Sequence, residues 1–183
     1  TNDLWIGVTE VTNELWDSVV DVNPSLTQNC EGQCPVSTIT WFEALAFANA
    51  LSTLQSLPAC YTLNDCDGVL GTGLVCTSVS VNSTTQSVYD CEGFRLPTEA
   101  EWEVAARAQS DVLYSGSDTP ELVAWDSSNS GGSPAPVATK LPNAWGLYDM
   151  SGNVWEWVWD GYAPYTADAD TNPEGNPQSN KSC

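Results

Sequence analysis

Residues 146–157 have the sequence Gly-Leu-Tyr-Asp-Met-Ser-Gly-Asn-Val-Trp-Glu-Trp, and this stretch decides how the rest of the chain is interpreted. It places two carboxylates, Asp149 and Glu156, on either side of Gly152. Calcium takes roughly six to eight hard oxygen ligands, and a glycine-containing turn can direct backbone carbonyls toward an ion held between two carboxylates. The tryptophans at 155, 157 and 159 alternate with other residues, and this period of two predicts a strand whose indoles lie in the core.

Two other segments predict well-defined helices. Residues 93–107 have the sequence Gly-Phe-Arg-Leu-Pro-Thr-Glu-Ala-Glu-Trp-Glu-Val-Ala-Ala-Arg, in which Thr98 and Glu101 have the spacing of a capping box. Thr40 and Glu43 have the same spacing ahead of an apolar segment that extends to about residue 54. Each box predicts the first turn of an amphipathic helix.

The remaining segments predict little regular structure. Residues 4–8 predict a short strand, and Thr12 predicts the start of a helix that ends before Asn23. Residues 108–144 are rich in Gly, Ser, Pro and Asn and are too long for a simple loop, so they predict packed coil. The predicted fold class is therefore α+β with a low content of regular secondary structure.

The seven cysteines indicate an oxidising environment. Their spacing does not fit a zinc site, so we interpret them as a disulfide framework of a secreted, extracellular or cell-surface protein. Cys30 and Cys34 are expected to close a tight loop. Cys183 is left over, and an odd cysteine in a secreted protein predicts a bond to a partner chain.

Residues 58–93 change in character to Ser, Thr, Val, Gly and Cys, and we interpret them as a disulfide-pinned hairpin inserted into the domain. A strand is predicted over residues 74–81, with a turn at residues 82–85. The four cysteines of this insert allow three pairings. The simplest nesting joins Cys60 to Cys91 and, inside that pair, Cys66 to Cys76.

Composition and charge exclude several classes of function. The chain has 183 residues, enough for one domain, with 24 acidic and four basic side chains and a net charge of −20. A field of this sign repels nucleic acid and favours divalent cations. The absence of histidine excludes a Ser-His-Asp triad and a histidine-ligated zinc within this chain. No apolar run approaches the roughly 18 residues of a membrane span, which predicts no membrane insertion.

The 93–107 and 142–157 stretches resemble the signatures of the formylglycine-generating enzymes, also called sulfatase-modifying factors. Supporting matches are Thr9-Glu10-Val11-Thr12-Asn13 and Cys34-Pro35-Val36 leading to Trp41-Phe42-Glu43-Ala44. The resemblance implies a C-type-lectin-like fold. It also implies that residues 1–183 are a single domain, incomplete at its C-terminus, that contains the 58–93 insert.

The resemblance implies a calcium site in the 146–157 stretch. Carried over by position, its ligands are the side chain of Asp149, the carbonyls of Gly152 and Val154, and the carboxylate of Glu156. The alternative is that Asp149 caps a turn and Glu156 faces solvent. A second calcium site of some members needs a carboxylate near residues 125–135, and we do not predict that site here.

The enzymes of the family that this sequence resembles oxidise a sulfatase cysteine. They use copper bound by two active-site cysteines in a C-terminal segment. This sequence stops before that segment, so none of its seven cysteines is carried over as a copper ligand, and copper is not supported by this chain. The first hypothesis is a secreted, calcium-stabilised binding or structural module without oxidase chemistry. The alternatives are the N-terminal part of an oxidase, or a subunit whose domain a second chain completes.

For the binding version, a surface is expected in the coil at residues 108–135 and in the tail at residues 160–180. Trp125, Tyr162 and Tyr165 are predicted as exposed aromatics that could stack on a glycan or a peptide. Ordinary packing of these rings is the alternative. The tryptophans at 155, 157 and 159 are assigned to the core.

Overall fold

A computed structural model describes residues 4–25 and 30–161 together with Pro173. In this part of the chain, four helices and one two-stranded sheet are joined by long ordered coil. The helices are α1 (Asn13–Asp17), α2 (Trp41–Leu54), α3 (Glu99–Arg107) and α4 (Pro120–Val123). The strands are β1 (Tyr61–Asp67) and β2 (Val75–Val81), and short 3₁₀ turns span Glu31–Gln33 and Val88–Asp90. None of the described helices has the length and apolar character needed to cross a membrane.

Both predicted capping boxes are confirmed. Thr40 accepts a hydrogen bond from the amide of Glu43, and the Glu43 side chain accepts one from the amide of Thr40. Thr98 and Glu101 make the same reciprocal pair at the start of α3. Each box satisfies two amides that a helix start would otherwise leave without a partner.

Helix α2 lies between two apolar clusters and holds them together. One side contributes Trp41, Leu45 and Ala48 to a core that includes Tyr61 and Trp159. Its other side contributes Phe47, whose ring stacks on Trp16 of α1 at 4.9 Å. A third cluster joins α3 to the 146–157 stretch through Ala105, Leu147 and Met150, with Ile6 packed against it.

The insert is a hairpin, but its turn lies elsewhere than predicted. Strands β1 and β2 pair antiparallel with Cys66 opposite Cys76, so the connecting turn is residues 68–74. The predicted turn at residues 82–85 follows the second strand instead. The connecting turn approaches the rest of the fold closely, because a Cβ on Gly71, which has φ +90°, would lie 2.1 Å from the Val22 carbonyl oxygen.

The disulfides join the pairs of the simplest nesting. Bridges link Cys30 to Cys34, Cys60 to Cys91, and Cys66 to Cys76. Cys60 is 2% exposed and belongs to the core beside α2, so the outer bridge ties the base of the hairpin to the hydrophobic core. Cys183 lies outside the described residues.

One other local prediction is wrong and two are confirmed only in part, since Thr12 does cap α1 and most of residues 108–144 is coil. Residues 4–8 form no strand, although the Val8 carbonyl accepts a 3.0 Å bond from the Tyr148 amide. Helix α1 is shorter than predicted, because the amides of residues 19 and 20 both bond to the Trp16 carbonyl in a tight turn. In the predicted coil at 108–144, α4 forms with proline in its first turn.

The predicted strand of core tryptophans at 155–159 is also wrong. Burial increases along the segment: Trp155 is 78% exposed, Trp157 is half-buried and Trp159 is 3% exposed. The segment enters the core only at its end, where the Trp159 amide donates to the Pro97 carbonyl at 2.8 Å.

Candidate calcium site

Four residues of the 146–157 stretch have positive φ, and the first of them is Gly146 at 80°. Asp149, Gly152 and Asn153 all have positive φ, at 57°, 95° and 60°. Glycine is required at 152, because a Cβ there would lie 2.3 Å from the Trp125 carbonyl oxygen. That same oxygen accepts a 2.8 Å hydrogen bond from the Asn153 amide, which fixes the turn against Trp125.

Asp149 has a carboxylate oxygen without a partner. The residue is 3% exposed, and its Oδ2 accepts a 2.8 Å hydrogen bond from the Ala138 amide. Oδ1 is the only buried side-chain nitrogen or oxygen in the described residues that lacks a hydrogen-bond partner. Burial raises the pKa of Asp149. A buried carboxylate oxygen without a donor is costly unless a cation occupies the site, so this atom fits a metal ligand.

Glu156 is half-buried and hydrogen bonded to a helix. Its Oε2 accepts a 3.0 Å bond from the indole nitrogen of Trp102 on α3. Burial, together with the nearby charge of Asp149, raises the pKa of Glu156 to about 7. The alternative in which Glu156 simply faces solvent is therefore wrong, because its carboxylate is hydrogen bonded to Trp102 and its pKa is affected by the charge of Asp149.

A third carboxylate, Glu10, lies beside them and was not predicted as a site residue. Its Oε1 accepts a 3.2 Å bond from the Val154 amide, and its Oε2 accepts a 2.8 Å bond from the Asn153 side chain. Burial and then the charges of Glu156 and Asp149 raise the pKa of Glu10 to about 9. The only signal in the sequence was its place in the Thr9–Asn13 motif, which carries no information about this contact.

The donor set suits calcium better than a soft metal. It consists of carboxylates and backbone carbonyls, which are hard oxygen ligands. Within the described part of the chain, no group of three Asp, Glu or Cys side chains is arranged to hold a metal by itself. A cation here therefore needs backbone oxygens as well, and Gly152 and Val154 carry the carbonyls expected from the sequence.

A family model for the sulfatase-modifying factor enzyme 1-like domain matches residues 1–181. The chain belongs to this family. The predicted family and its few-helix fold with a small antiparallel sheet and disulfides are thereby confirmed.

Several known proteins resemble this chain over different lengths. A chaperone protein, LppX, from Paenibacillus barcinonensis is 34% identical over 87% of this chain and 62% of its own length. A formylglycine-generating enzyme from Thermomonospora curvata is 40% identical over 37% of this chain and 27% of its own length. The solved structure of Treponema denticola variable protein 1 superposes with a TM-score of 0.74 at 37% identity, covering 94% of this chain and 68% of that one. The chain thus spans less than two thirds of the Paenibacillus relative.

None of the described cysteines of this chain has a free thiol. All six described cysteines are in disulfides. Copper(I) in proteins is bound by thiolates, so none of these six sulfurs suits it.

The predicted aromatic surface is only partly described. Trp125 is half-buried rather than exposed, because its indole nitrogen donates to Thr139 at 2.9 Å and the Lys140 ammonium lies 4.1 Å from its ring centre. Tyr162 and Tyr165 lie outside the described residues. The packing alternative therefore holds for Trp125.

Proposed function

We propose that this chain is a calcium-stabilised binding or structural module of the sulfatase-modifying factor family, with no oxidase chemistry of its own. The observation that carries the proposal is the buried Asp149 Oδ1, which has no hydrogen-bond partner. The charge of Asp149 also raises the pKa of Glu156, which supports placing both carboxylates at one site. Bound calcium would supply the missing partner and offset the charge of the buried carboxylates. Its ligands would be Asp149 and Glu156 through their carboxylates, and Gly152 and Val154 through their carbonyls.

The disulfides and the charge support a place outside the cell or on its surface. Three bridges within one small domain are typical of oxidising compartments. Extracellular fluids commonly contain enough calcium for weak sites to be filled. The few-helix architecture is consistent with the C-type-lectin-like fold that the sequence implies.

The nature of the partner is inferred from the relatives and from the charge. The Paenibacillus relative is called a chaperone, a name for a protein that assists another protein, and this favours a protein ligand. A glycan ligand is the other candidate, since ordered coil such as residues 108–135 offers polar side chains. The net charge of −20 argues against nucleic acid.

The experiment that tests calcium binding is a thermal melt of one sample in calcium and in chelator. At calcium 100-fold above its dissociation constant, about 2.7 kcal/mol of stabilisation is expected, which raises the Tm of a domain this size by roughly 5–10 °C. Asp149→Ala should abolish the difference between the two conditions. For each variant, the quantity compared is its Tm in calcium minus its Tm in chelator. The strain of alanine at φ +57° lowers both values equally and therefore cancels.

Asp65→Ala is the matched control. Asp65 is exposed on β1 and has φ +48°, so this variant carries the same loss of charge and a similar backbone strain away from the site. It should keep the full calcium shift. If chelator leaves the wild-type melt unchanged, the calcium proposal is wrong.

An oxidase is the second candidate, favoured by the 40% identity to the Thermomonospora formylglycine-generating enzyme. In that case the two copper-binding thiols would come from a further segment or from a second chain joined through Cys183. Incubation of this chain with copper, O₂ and a cysteine-containing sulfatase peptide should give no peptide aldehyde by mass spectrometry. Aldehyde formation would establish the oxidase instead. A dimer band on non-reducing electrophoresis that disappears in Cys183→Ser would reveal the bonded partner.

A further inference from the structure

The beginning of the described chain lies along the turn that carries the calcium ligands. The Val8 carbonyl accepts a 3.0 Å bond from the Tyr148 amide, and Ile6 packs against Leu147 and Met150. Glu10 lies two positions after Val8 and accepts hydrogen bonds from Asn153 and Val154 of the same turn. Residues separated by 140 or more positions in the sequence thus form one local structure.

Glu10 fixes the peptide bond that lies between the two carbonyls expected to bind calcium. Its Oε1 accepts the hydrogen bond of the Val154 amide at 3.2 Å. That amide belongs to the planar peptide joining Asn153 to Val154, so the hydrogen bond sets the orientation of the whole unit. The carbonyl of Gly152 precedes this unit and the carbonyl of Val154 follows it.

Glu10 Oε2 accepts a hydrogen bond from the side-chain amide of Asn153, and that amide cannot flip without losing its other hydrogen bonds. The Asn153 side-chain oxygen accepts a 2.9 Å bond from the Ala135 amide, and its nitrogen donates to the Ala135 carbonyl at 3.3 Å. This leaves the Asn153 nitrogen as the group that Glu10 Oε2 must accept from, at 2.8 Å. Glu10 therefore faces two donors, and only a group with two acceptor oxygens satisfies both.

We propose that Glu10 is a positioning residue for the calcium site, holding the 152–154 turn so that its carbonyls stay available to the ion. The inference rests on the calcium binding proposed above. Glu10 itself need not ligate, in keeping with the absence of any group of three carboxylates arranged to hold a metal among the described residues. Groups that orient metal ligands in this way typically contribute a factor of about 10–100 to metal affinity.

Calorimetric titration of Ca²⁺ into the decalcified chain tests the proposal, with wild type, Glu10→Gln and Glu14→Gln compared. Glutamine replaces one acceptor oxygen by a donor, so Glu10→Gln should bind calcium about 10–100-fold more weakly. Glu14→Gln is the matched control. Glu14 is exposed four positions further on, so this variant makes the same chemical replacement away from the site and should bind like wild type.

A spectroscopic measurement separates positioning from general stability. Europium(III) replaces calcium, and its luminescence lifetimes in H₂O and D₂O give the number of waters on the ion. Glu10→Gln should admit at least one more water than wild type, because a displaced carbonyl leaves a coordination position to solvent. Unchanged hydration together with unchanged calcium affinity would overturn the role of Glu10.

The outcomes also distinguish this inference from the proposed function. If wild type binds neither ion, the calcium site itself is wrong. If wild type binds and Glu10→Gln binds equally well, only the positioning role is wrong. Should Glu10→Gln fail to fold by circular dichroism, Glu10→Asp provides the test, because it keeps both oxygens but withdraws them by one methylene. It should bind calcium more weakly than wild type, and equal affinity would again overturn the role.

Discussion

The indole nitrogen of Trp102 donates a 3.0 Å hydrogen bond to Oε2 of Glu156, which joins helix α3 to the candidate calcium site. Calcium binding to that carboxylate would change the electrostatic field at the indole. We therefore expect tryptophan emission to change on calcium addition. Trp102→Phe should remove most of that change while keeping most of the calcium-dependent rise in Tm.

Trp5→Phe is the control for this fluorescence experiment. The Trp5 side chain is 97% exposed, so its emission should be insensitive to the ion and the variant should respond like wild type. A calcium response that survives Trp102→Phe in full would mean that Glu156 does not contact the ion.

The three disulfides should differ in what they contribute to stability. In the chain-entropy account, a bridge stabilises more when it closes a longer loop. The sequence separations are 31 for Cys60–Cys91, 10 for Cys66–Cys76 and 4 for Cys30–Cys34. Replacing each pair by alanine should therefore cost about 4, 3 and 2 kcal/mol of unfolding free energy in that order. Urea denaturation of the three double variants measures this, and the reverse order would contradict the entropic explanation.

The parts of the fold that the sequence predicted well depend on short-range contacts. The members of the pairs Thr40–Glu43 and Thr98–Glu101 lie three residues apart. The geometry of a helix start places each side chain beside the backbone amide of the other residue. The candidate ligands Asp149 and Glu156 also come from one short stretch.

The missed features depend on contacts between distant segments. Glu10 reaches Asn153 across 143 residues, and no local pattern indicates that pairing. Trp155 alternates with two more buried tryptophans, yet it is exposed because the described chain only enters the core near Trp159. Residues 82–85 predict the hairpin turn, but the turn lies at residues 68–74, because Asp67 pairs with Val75 across the two strands.

The partly buried ion pair between Arg95 and Glu101 should make stability depend on pH. Both terminal nitrogens of the Arg95 guanidinium donate to the Glu101 carboxylate, at 2.7 and 2.8 Å. Burial alone would raise the pKa of Glu101, but the hydrogen bonds from Arg95 and from the Thr98 amide outweigh it and hold that pKa below its ordinary value. A carboxylate with a lowered folded-state pKa stabilises the fold above its unfolded pKa of about 4.3, and this stabilisation is lost as the pH falls through the folded value.

Glu101→Gln isolates that contribution, because glutamine can still complete the capping box. We expect it to lower the free energy of unfolding by about 2 kcal/mol at pH 7, and the difference from wild type should shrink as the pH falls to about 3. Glu103→Gln breaks the exposed Glu103–Arg107 pair and should cost under about 0.5 kcal/mol at either pH. Urea titrations of wild type and both variants at the two pH values measure these free energies of unfolding. If the destabilisation by Glu101→Gln does not depend on pH, the ion pair is not its cause.

Glu43 should be among the least replaceable side chains of the described chain, since it is 0% exposed and serves two elements at once. Its Oε2 accepts from the Thr40 amide at 2.8 Å, and its Oε1 accepts from the amides of Gly71 and Gly73 at 2.9 and 2.8 Å. Helix α2 is thereby fixed to the turn of the disulfide-pinned hairpin. In Glu43→Gln, the side-chain NH₂ group faces either the Thr40 amide or the amides of Gly71 and Gly73. Those buried donors then lack an acceptor, which should lower the free energy of unfolding by about 2–3 kcal/mol.

Hydrogen exchange gives the Glu43 prediction a local readout. The amides of Gly71 and Gly73 should exchange faster in Glu43→Gln than in wild type, because they lose their acceptor or meet a second donor. Glu92→Gln, at an exposed position, removes the same charge and should change neither exchange nor stability by more than about 0.5 kcal/mol. If Glu43→Gln matched this control in both measurements, the hairpin turn would have to be held by contacts other than the Glu43 carboxylate, and its docking on α2 would not depend on the capping box.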